Sequence, residues 1–85
     1  MKNKIVEVEW TDAQSGFGNA ESVEDLIRDF KPTNTFSTGY LLYEHKEYII
    51  LGFMMFGEDM AKHSQLIPTG IIKNIKVIKK WKDKD

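Results

Sequence analysis

Hydrophobic and polar residues alternate along several short stretches of this chain, with the two-residue period of strands that bury one face. The clearest example is residues 5–10, where β-branched or aromatic side chains alternate with glutamates. This pattern predicts a strand in which Val6, Val8 and Trp10 face inward. The residues that follow, 11–19, are mostly small or polar and predict a loop.

Two β-rich stretches, residues 35–44 and 47–56, predict a hairpin around a polar turn at residues 45–46. The turn has no Asn-Gly pair, so its type is left open. Gly39 and Gly52 fall inside the two strands, where glycine is typical of a bulge or a sharp bend. We interpret them as the corners at which the sheet curls, with simple tolerance of glycine at an edge as the alternative.

The last third of the chain begins with a polar stretch, residues 57–64, which predicts a loop. Pro68 has no backbone N–H to donate and is expected at a strand end or a sheet edge. A tight turn at residues 69–70 then leads to a final predicted strand, residues 71–78, in which lysines are interleaved with apolar residues. Residues 81–85 are expected to form a frayed tail.

One helix is predicted between the first strand and the hairpin. Ser22 is placed to accept a hydrogen bond from the backbone N–H of Asp25, as the N-cap of a capping box does. Pro32 disfavours helical geometry in the residue before it and so ends the helix. Because a helix of about two turns is unstable alone, we expect its apolar stripe to lie against the sheet. The stripe consists of Val23, Leu26, Ile27 and Phe30.

Together these elements predict a mainly β fold, a small and strongly bent five-stranded antiparallel sheet or barrel with one short α-helix. Residues 1–80 form a single domain in this interpretation. Residues 53–56 are the most apolar stretch outside the final strand, and consecutive side chains of a strand point to opposite faces. We interpret them either as a strand buried on both faces or as an interface between subunits. The candidate interface residues are Phe53, Met54, Met55 and Phe56.

Composition limits the chemistry of the protein. The chain has 85 residues and no cysteine, which removes disulfides, thiolate metal sites and thiol catalysis. His45 and His63 have no second ligand at the usual metal spacing, so we expect neither a metal nor a cofactor.

Because a domain this small buries little surface, self-association is the expected source of further stability. No stretch approaches the roughly 20 apolar residues of a membrane helix, and the early glutamates exclude a signal-peptide core, so we expect a cytoplasmic protein.

Two patterns indicate chemistry only weakly. Residues 16–18, Gly-Phe-Gly, precede the helix, but a phosphate loop needs its full glycine pattern and its lysine, so a flexible connection is the preferred interpretation. His63 has Asp59 and Ser64 near it in sequence, which are the residue types of a hydrolytic triad. Such neighbours rarely converge with an oxyanion donor. We therefore predict a protein that is not an enzyme.

Charge is distributed unevenly, although the net charge is −1. Residues 1–30 hold seven acidic and three basic residues, whereas from residue 71 onward there are six lysines and two aspartates. The C-terminal lysines and Trp81 could bind nucleic acid. The overall charge favours the alternative, in which the lysines protect a solvated edge strand.

Three short motifs follow one another along the chain: Trp-Thr-Asp-Ala at residues 10–13, an acidic segment leading to a proline at residues 24–32, and Ser-Thr-Gly-Tyr-Leu-Leu-Tyr-Glu at residues 37–44. In this order they resemble small phage- and prophage-encoded proteins of unassigned function. The hairpin and the late glycine turn also resemble Sm-like and SH3-like barrels. Residues 44–47 and Thr69 depart from the Sm-like pattern for binding uridine. The resemblance therefore implies a barrel that assembles through edge strands, without uridine recognition.

One functional expectation follows from the resemblance, and two alternatives from other classes of function are considered beside it. We expect a phage-type accessory protein that acts as a homo-oligomer and binds a host or phage component through its barrel surface. The first alternative is a sponge that sequesters a nucleotide signalling molecule between subunits and helps a phage evade host defence. The second is weak binding of nucleic acid through the basic C-terminal strand. For the sponge, the candidate residues are Gly70, Lys73 and Lys76 for phosphate, and Trp10, Tyr40 and Tyr43 for stacking on the base.

Overall fold

A computed structural model of the chain describes residues 2–13 and 19–82. These residues form five β-strands, one α-helix and one 3₁₀ turn, in keeping with the predicted mainly β fold. In chain order the elements are β1 (Ile5–Asp12), α1 (Val23–Asp29), β2 (Thr33–Glu44), β3 (Tyr48–Phe56), β4 (Met60–Pro68), the 3₁₀ turn (Thr69–Ile71) and β5 (Ile72–Lys79).

All five strands belong to one antiparallel sheet, in the order β4-β3-β2-β1-β5. The 3₁₀ turn carries the chain from the β4 edge across to β1. It is held by Thr69, whose backbone N–H donates to the carbonyl of Glu47 at 2.9 Å and whose hydroxyl donates to the carbonyl of Lys46 at 2.8 Å. Within the described residues β4 and β5 remain the two edges of the sheet. The fold is therefore a bent sheet, not closed into a barrel.

The core lies inside the bend and consists of six aliphatic side chains. Val6 and Val8 have no exposed surface, which confirms that this face of β1 points inward. Trp10 continues the same face and packs against the core, and its Nε1–H donates to the hydroxyl of Ser37 at 3.0 Å. The core side chains are Val6, Val8, Leu41, Ile49, Leu51 and Ile67.

Gly39 and Gly52 lie where the pairing of β2 with β3 ends, but neither glycine is a bulge. A Cβ at Gly39 would lie 2.9 Å from the carbonyl oxygen of Gly52 and 3.2 Å from the ring of Phe53. A Cβ at Gly52 would lie 2.8 Å from the Cδ1 of Leu42. The register shift falls at Leu42, which is an extra residue of β2 relative to β3. At both glycines neighbouring atoms occupy the space of a side chain, but at Gly39 the nearest atom belongs to the backbone, whereas at Gly52 it is the flexible end of Leu42.

The loop predicted over residues 57–64 is wrong for its second half. Gly57, with a φ of 65°, opens a short turn, and β4 already begins at Met60. Every residue from 60 to 64 is exposed. No buried face imposes an alternating pattern on this part of β4, so its sequence resembles a loop while its backbone pairs with β3. Likewise, β1 continues to Asp12, into the predicted loop after residue 10.

The helix α1 forms where the sequence predicts it. The hydroxyl of Ser22 accepts a hydrogen bond from the backbone N–H of Asp25 at 3.1 Å, which confirms the N-cap. Arg28 pairs with Asp29 at 2.9 Å and with Asp25 at 3.1 Å. The hydrogen bond to Asp29 is the main reason that the pKa of Arg28 is raised above its usual value.

The expectation that α1 lies against the sheet is wrong. No residue of the helix is buried, and Val23 and Ile27 are 71% and 76% exposed. The reason is the length of the β1–β2 pair, which continues to Asp12 and Thr33 and so places the helix beyond the core.

The molecule is elongated, with dimensions of 62 × 23 × 20 Å and a radius of gyration of 17.0 Å. A compact domain of this length has a radius of gyration of about 12 Å. Beyond Gly52 the β3–β4 pair separates from β2. The pairing of β2 with β3 ends at Gly52, and residues 33–39 of β2 pair with β1 alone, whereas β3 and β4 stay paired to Phe56 and Met60. We call this two-stranded extension, residues 53–63, the ribbon.

Both edge strands carry residues that disfavour the addition of another strand. On β4 these are Lys62, the terminal Pro68, and His63, whose φ of 59° is unusual for a strand. On β5 three lysines are spaced along the strand: Lys73, Lys76 and Lys79.

Candidate binding surfaces

The ribbon exposes large apolar side chains on a pair of strands that no other described element covers. Phe53, Met54, Phe56 and Met60 are 42%, 47%, 56% and 65% exposed, and Met55 is half-buried. Residues 53–56 therefore do not form a strand that is buried on both faces within a single chain. Exposed apolar surface of this kind is typical of an interaction site. Met60, from the segment predicted as a loop, is the first residue of β4 and adds to the same apolar surface.

The aromatic residues proposed for nucleotide stacking do not share one face of the sheet. Trp10 lies on the core face, whereas Tyr40 is paired with Ile5 on the opposite face of the β1–β2 pair. A ligand stacked on one ring is therefore separated from the other ring by the sheet itself.

The residues proposed for phosphate follow one another at the start of β5. Gly70 is exposed in the 3₁₀ turn, and Lys73 is an extra residue of β5 relative to β1. Lys76 lies opposite Glu7 of β1, which places a carboxylate beside one of the proposed phosphate contacts.

A cleft of about 280 Å³ lies between the segment before β1, the end of β2 and the residues after β5. We call it the basic cleft. Sequence analysis missed it, because its parts come from the two ends and the middle of the chain. Its charged and aromatic lining residues are Lys2, Lys4, Glu44, Lys80, Tyr43 and Trp81.

One wall of the basic cleft is held in place by hydrogen bonds to β2. The side-chain amide of Asn3 donates to the carbonyl of Leu41 at 3.0 Å, and the backbone N–H of Leu41 donates to the carbonyl of Lys4 at 2.9 Å. The ammonium of Lys4 lies 3.8 Å from a carboxylate oxygen of Glu44. The segment before β1 is therefore attached to the sheet, and Lys4 is directed along the end of β2.

Trp81 was assigned by the sequence analysis to a frayed tail, yet its ring contacts the sheet. Its centroid lies 6.3 Å from that of Tyr40, and the ammonium of Lys79 lies 4.9 Å from the centroid of its indole ring. The latter distance is within the range of a cation–π interaction. These contacts place Trp81 beside β2, at the wall of the basic cleft.

Tyr43 joins the basic cleft to a small aromatic cluster at the β2–β3 turn. The rings of His45 and Tyr48 stack with centroids 4.8 Å apart, and Tyr43 lies 6.2 Å and 6.0 Å from them. The Nδ1 of His45 accepts a hydrogen bond from the backbone N–H of Glu47 at 3.1 Å, so the imidazole orientation is fixed by its own turn. Tyr43 remains 50% exposed and available for stacking.

The other sites considered in the sequence analysis do not form within the described residues. The side chain of His63 makes no hydrogen bond or ion pair with another described residue, including Asp59 and Ser64. Over residues 2–13 and 19–82, no three histidine or acidic side chains are grouped to hold a metal ion. No helix in that part of the chain has the length and apolar character to span a membrane. Residues 16–18, considered as a phosphate loop, lie outside the described residues.

No family model, no curated protein and no solved structure matches this chain. Its function is therefore inferred from the surfaces described above.

Proposed function

We propose that this protein is a non-enzymatic interaction module that acts as a homo-oligomer, and that the ribbon is the contact between subunits. A phage-type accessory role is part of the proposal and is supported by the motif resemblance alone. The observation that supports the oligomer is the exposure of four large apolar side chains on two strands that no other part of residues 2–13 and 19–82 covers.

The ribbon is expected to need a partner for its own stability. A two-stranded hairpin is marginally stable in water, and independent stability requires a third strand or a packed layer. Full burial of a Phe or Met side chain stabilises by about 1.5–3 kcal/mol. Since Phe56 and Met60 are 56% and 65% exposed, a partner would add roughly half of that amount for each of them.

A second copy of the chain is the partner that the strand edges favour. Beyond Gly52, the side of β3 that faces β2 elsewhere has no β2 residue paired to it. Residues 53–57 carry no charge, in contrast to the lysines on β5. Two copies related by a two-fold axis would present the same apolar ribbon to each other, and such isologous contact is the commonest arrangement in homo-oligomers.

Light scattering on the purified protein tests the proposal. We expect a mass that is a multiple of the 9.9 kDa monomer. The double variant Phe56→Ser/Met60→Ser should be monomeric, because it removes apolar area from the contact. The double variant Val23→Ser/Ile27→Ser is a matched control, since it removes two apolar side chains from α1 that are even more exposed and should leave the mass unchanged.

Two results would contradict this assignment in different ways. A wild-type protein that stays monomeric at all concentrations would refute the oligomer. Dissociation of the α1 variant, with the ribbon variant still assembled, would keep the oligomer and refute the ribbon as its interface.

The capture of a nucleotide signalling molecule is a second candidate function. It is supported by the basic cleft, where lysines and aromatic rings occur together. Nucleic-acid binding by the lysines of β5 stays a prediction, supported by their exposure on an edge strand.

A further inference from the structure

We infer that the basic cleft binds a small phosphate ester that carries a flat ring, which is the chemistry of a nucleotide. The inference rests on the second candidate function and specifies its site. It places the ligand within a single chain, on lysines other than the pair, Lys73 and Lys76, that the sequence analysis selected for phosphate.

Charge is the first argument for an anionic ligand. The cleft brings together three lysines and one glutamate in a chain whose net charge is −1. Lys2 and Lys80 form no ion pair with any residue of the described ranges. Lys4 is paired with Glu44, but the pair is long at 3.8 Å and both side chains are partly exposed. An exposed pair of this kind is weak, so a phosphate can recruit Lys4 at little cost.

The aromatic residues are the second argument, since they select a ligand with a flat ring. Tyr43 and Trp81 both line the cleft, and Tyr43 is half exposed. Bases stack on such rings regardless of base identity. The Lys79 ammonium near the indole of Trp81 adds a further positive charge next to the stacking surface. Inorganic phosphate alone would leave both rings unused.

Size favours a free nucleotide over a nucleic-acid strand. The volume of about 280 Å³ is at the lower limit of small-molecule sites, which span about 300–1,000 Å³. A strand would need a positive groove that continues past the cleft, with a series of stacking rings. Here Glu44 is one of the lining residues, and its carboxylate would repel the phosphates of a strand that continued along this end of β2.

Isothermal titration calorimetry with AMP, cyclic AMP, ATP and cyclic di-GMP is the direct test, with inorganic phosphate and a short single-stranded oligonucleotide as comparisons. We expect at least one of the four nucleotides to bind. The double variant Lys4→Ala/Lys80→Ala should weaken that binding about tenfold or more, because it removes two charged phosphate contacts. The double variant Lys73→Ala/Lys76→Ala changes the net charge equally and should bind as the wild-type protein does.

Variants of Trp81 test the stacking separately from charge. Trp81→Ala should weaken nucleotide binding, whereas Trp81→Phe, which keeps an aromatic ring, should restore most of it. Inorganic phosphate should bind equally weakly to both variants, because it has no ring to stack. Equal nucleotide affinity in Trp81→Ala and wild type would overturn the proposed stacking.

The outcomes separate the site from the function. If none of the four nucleotides binds at about 1 mM, the weak end of specific affinity, both the inference and the second candidate function are overturned. Binding that is lost in Lys73→Ala/Lys76→Ala but kept in Lys4→Ala/Lys80→Ala would retain nucleotide capture and overturn the cleft as its site. An oligonucleotide that binds the cleft more tightly than every nucleotide would identify a nucleic-acid site instead.

Discussion

Replacement of Gly39 by alanine tests the close packing of β2 on β3. The added Cβ would lie 2.9 Å from the carbonyl oxygen of Gly52 and 3.2 Å from the ring of Phe53. The ring can turn away, but the carbonyl belongs to the backbone of the neighbouring strand. Relief of the clash therefore requires β2 and β3 to move apart in the middle of the sheet.

We expect Gly39→Ala to lower the free energy of unfolding by about 2 kcal/mol. Overpacking of a well-packed site costs about 1–3 kcal/mol, and a clash with backbone belongs in the upper part of this range. The reduced conformational freedom of the unfolded chain offsets about 0.4–1 kcal/mol. At about 0.05–0.15 kcal/mol per residue, the whole chain has only about 4–13 kcal/mol of stability, so the loss should be easy to measure.

Urea unfolding followed by tryptophan fluorescence, at one protein concentration for all variants, measures this difference. Gly70→Ala is the matched control, because nothing lies within 4 Å of its added Cβ. It should be as stable as the wild type or up to about 1 kcal/mol more stable. Gly52→Ala should fall between the two, since its nearest neighbour, at 2.8 Å, is the flexible end of Leu42.

Equal unfolding free energies for Gly39→Ala and Gly70→Ala, with the same dependence on urea, would refute the reasoning. That result would mean that the two strands accept a methyl group between them without separating. The role assigned to Gly39 would then have to be withdrawn.

Three further variants test other parts of the structure. Ser22→Ala should cost α1 about 1 kcal/mol and lower the helical circular dichroism without moving the unfolding midpoint of the sheet; a shifted midpoint would mean that the helix is packed after all. Trp10→Phe should lose about 0.5–1.5 kcal/mol in urea unfolding through its bond to Ser37, and a Ser37→Ala background should remove this hydrogen-bond part of the cost while leaving the part due to lost packing. Leu51→Ala should cost about 2–5 kcal/mol in the same assay, whereas Leu66→Ala, at a position 55% exposed, should stay within about 0.5 kcal/mol.

Much of the fold could be predicted because several local signals are strong. The alternation in β1 identifies Val6 and Val8 as buried, and the Ser22 N-cap sets the start of α1. Pro68 marks the end of β4, and the 3₁₀ turn follows directly after it. In each case a few neighbouring residues determine the local backbone, so sequence alone is sufficient.

The features that could not be predicted depend on contacts between distant segments. The first half of β4 has no buried face, so only its pairing with β3 identifies it as a strand. The apolar stripe of α1 is periodic, but periodicity does not reveal that the β1–β2 pair places the helix beyond the core. The basic cleft joins residues 2–4, 41–44 and 80–81, and no local pattern links them. The bulge at Leu42 likewise has no signal of its own, in contrast to the glycines around it.

The lysines and the proline on the two outer strands limit the way in which copies of this protein can combine. A strand added beside β5 would bring a second chain against Lys73, Lys76 and Lys79, and one added beside β4 would meet Lys62 and Pro68. Edge-to-edge pairing of sheets into fibrils is therefore disfavoured at both edge strands. The subunit contact proposed for the ribbon is confined to one end of the molecule and is fully used once two copies have paired, so that proposal predicts small closed oligomers and no open-ended polymers.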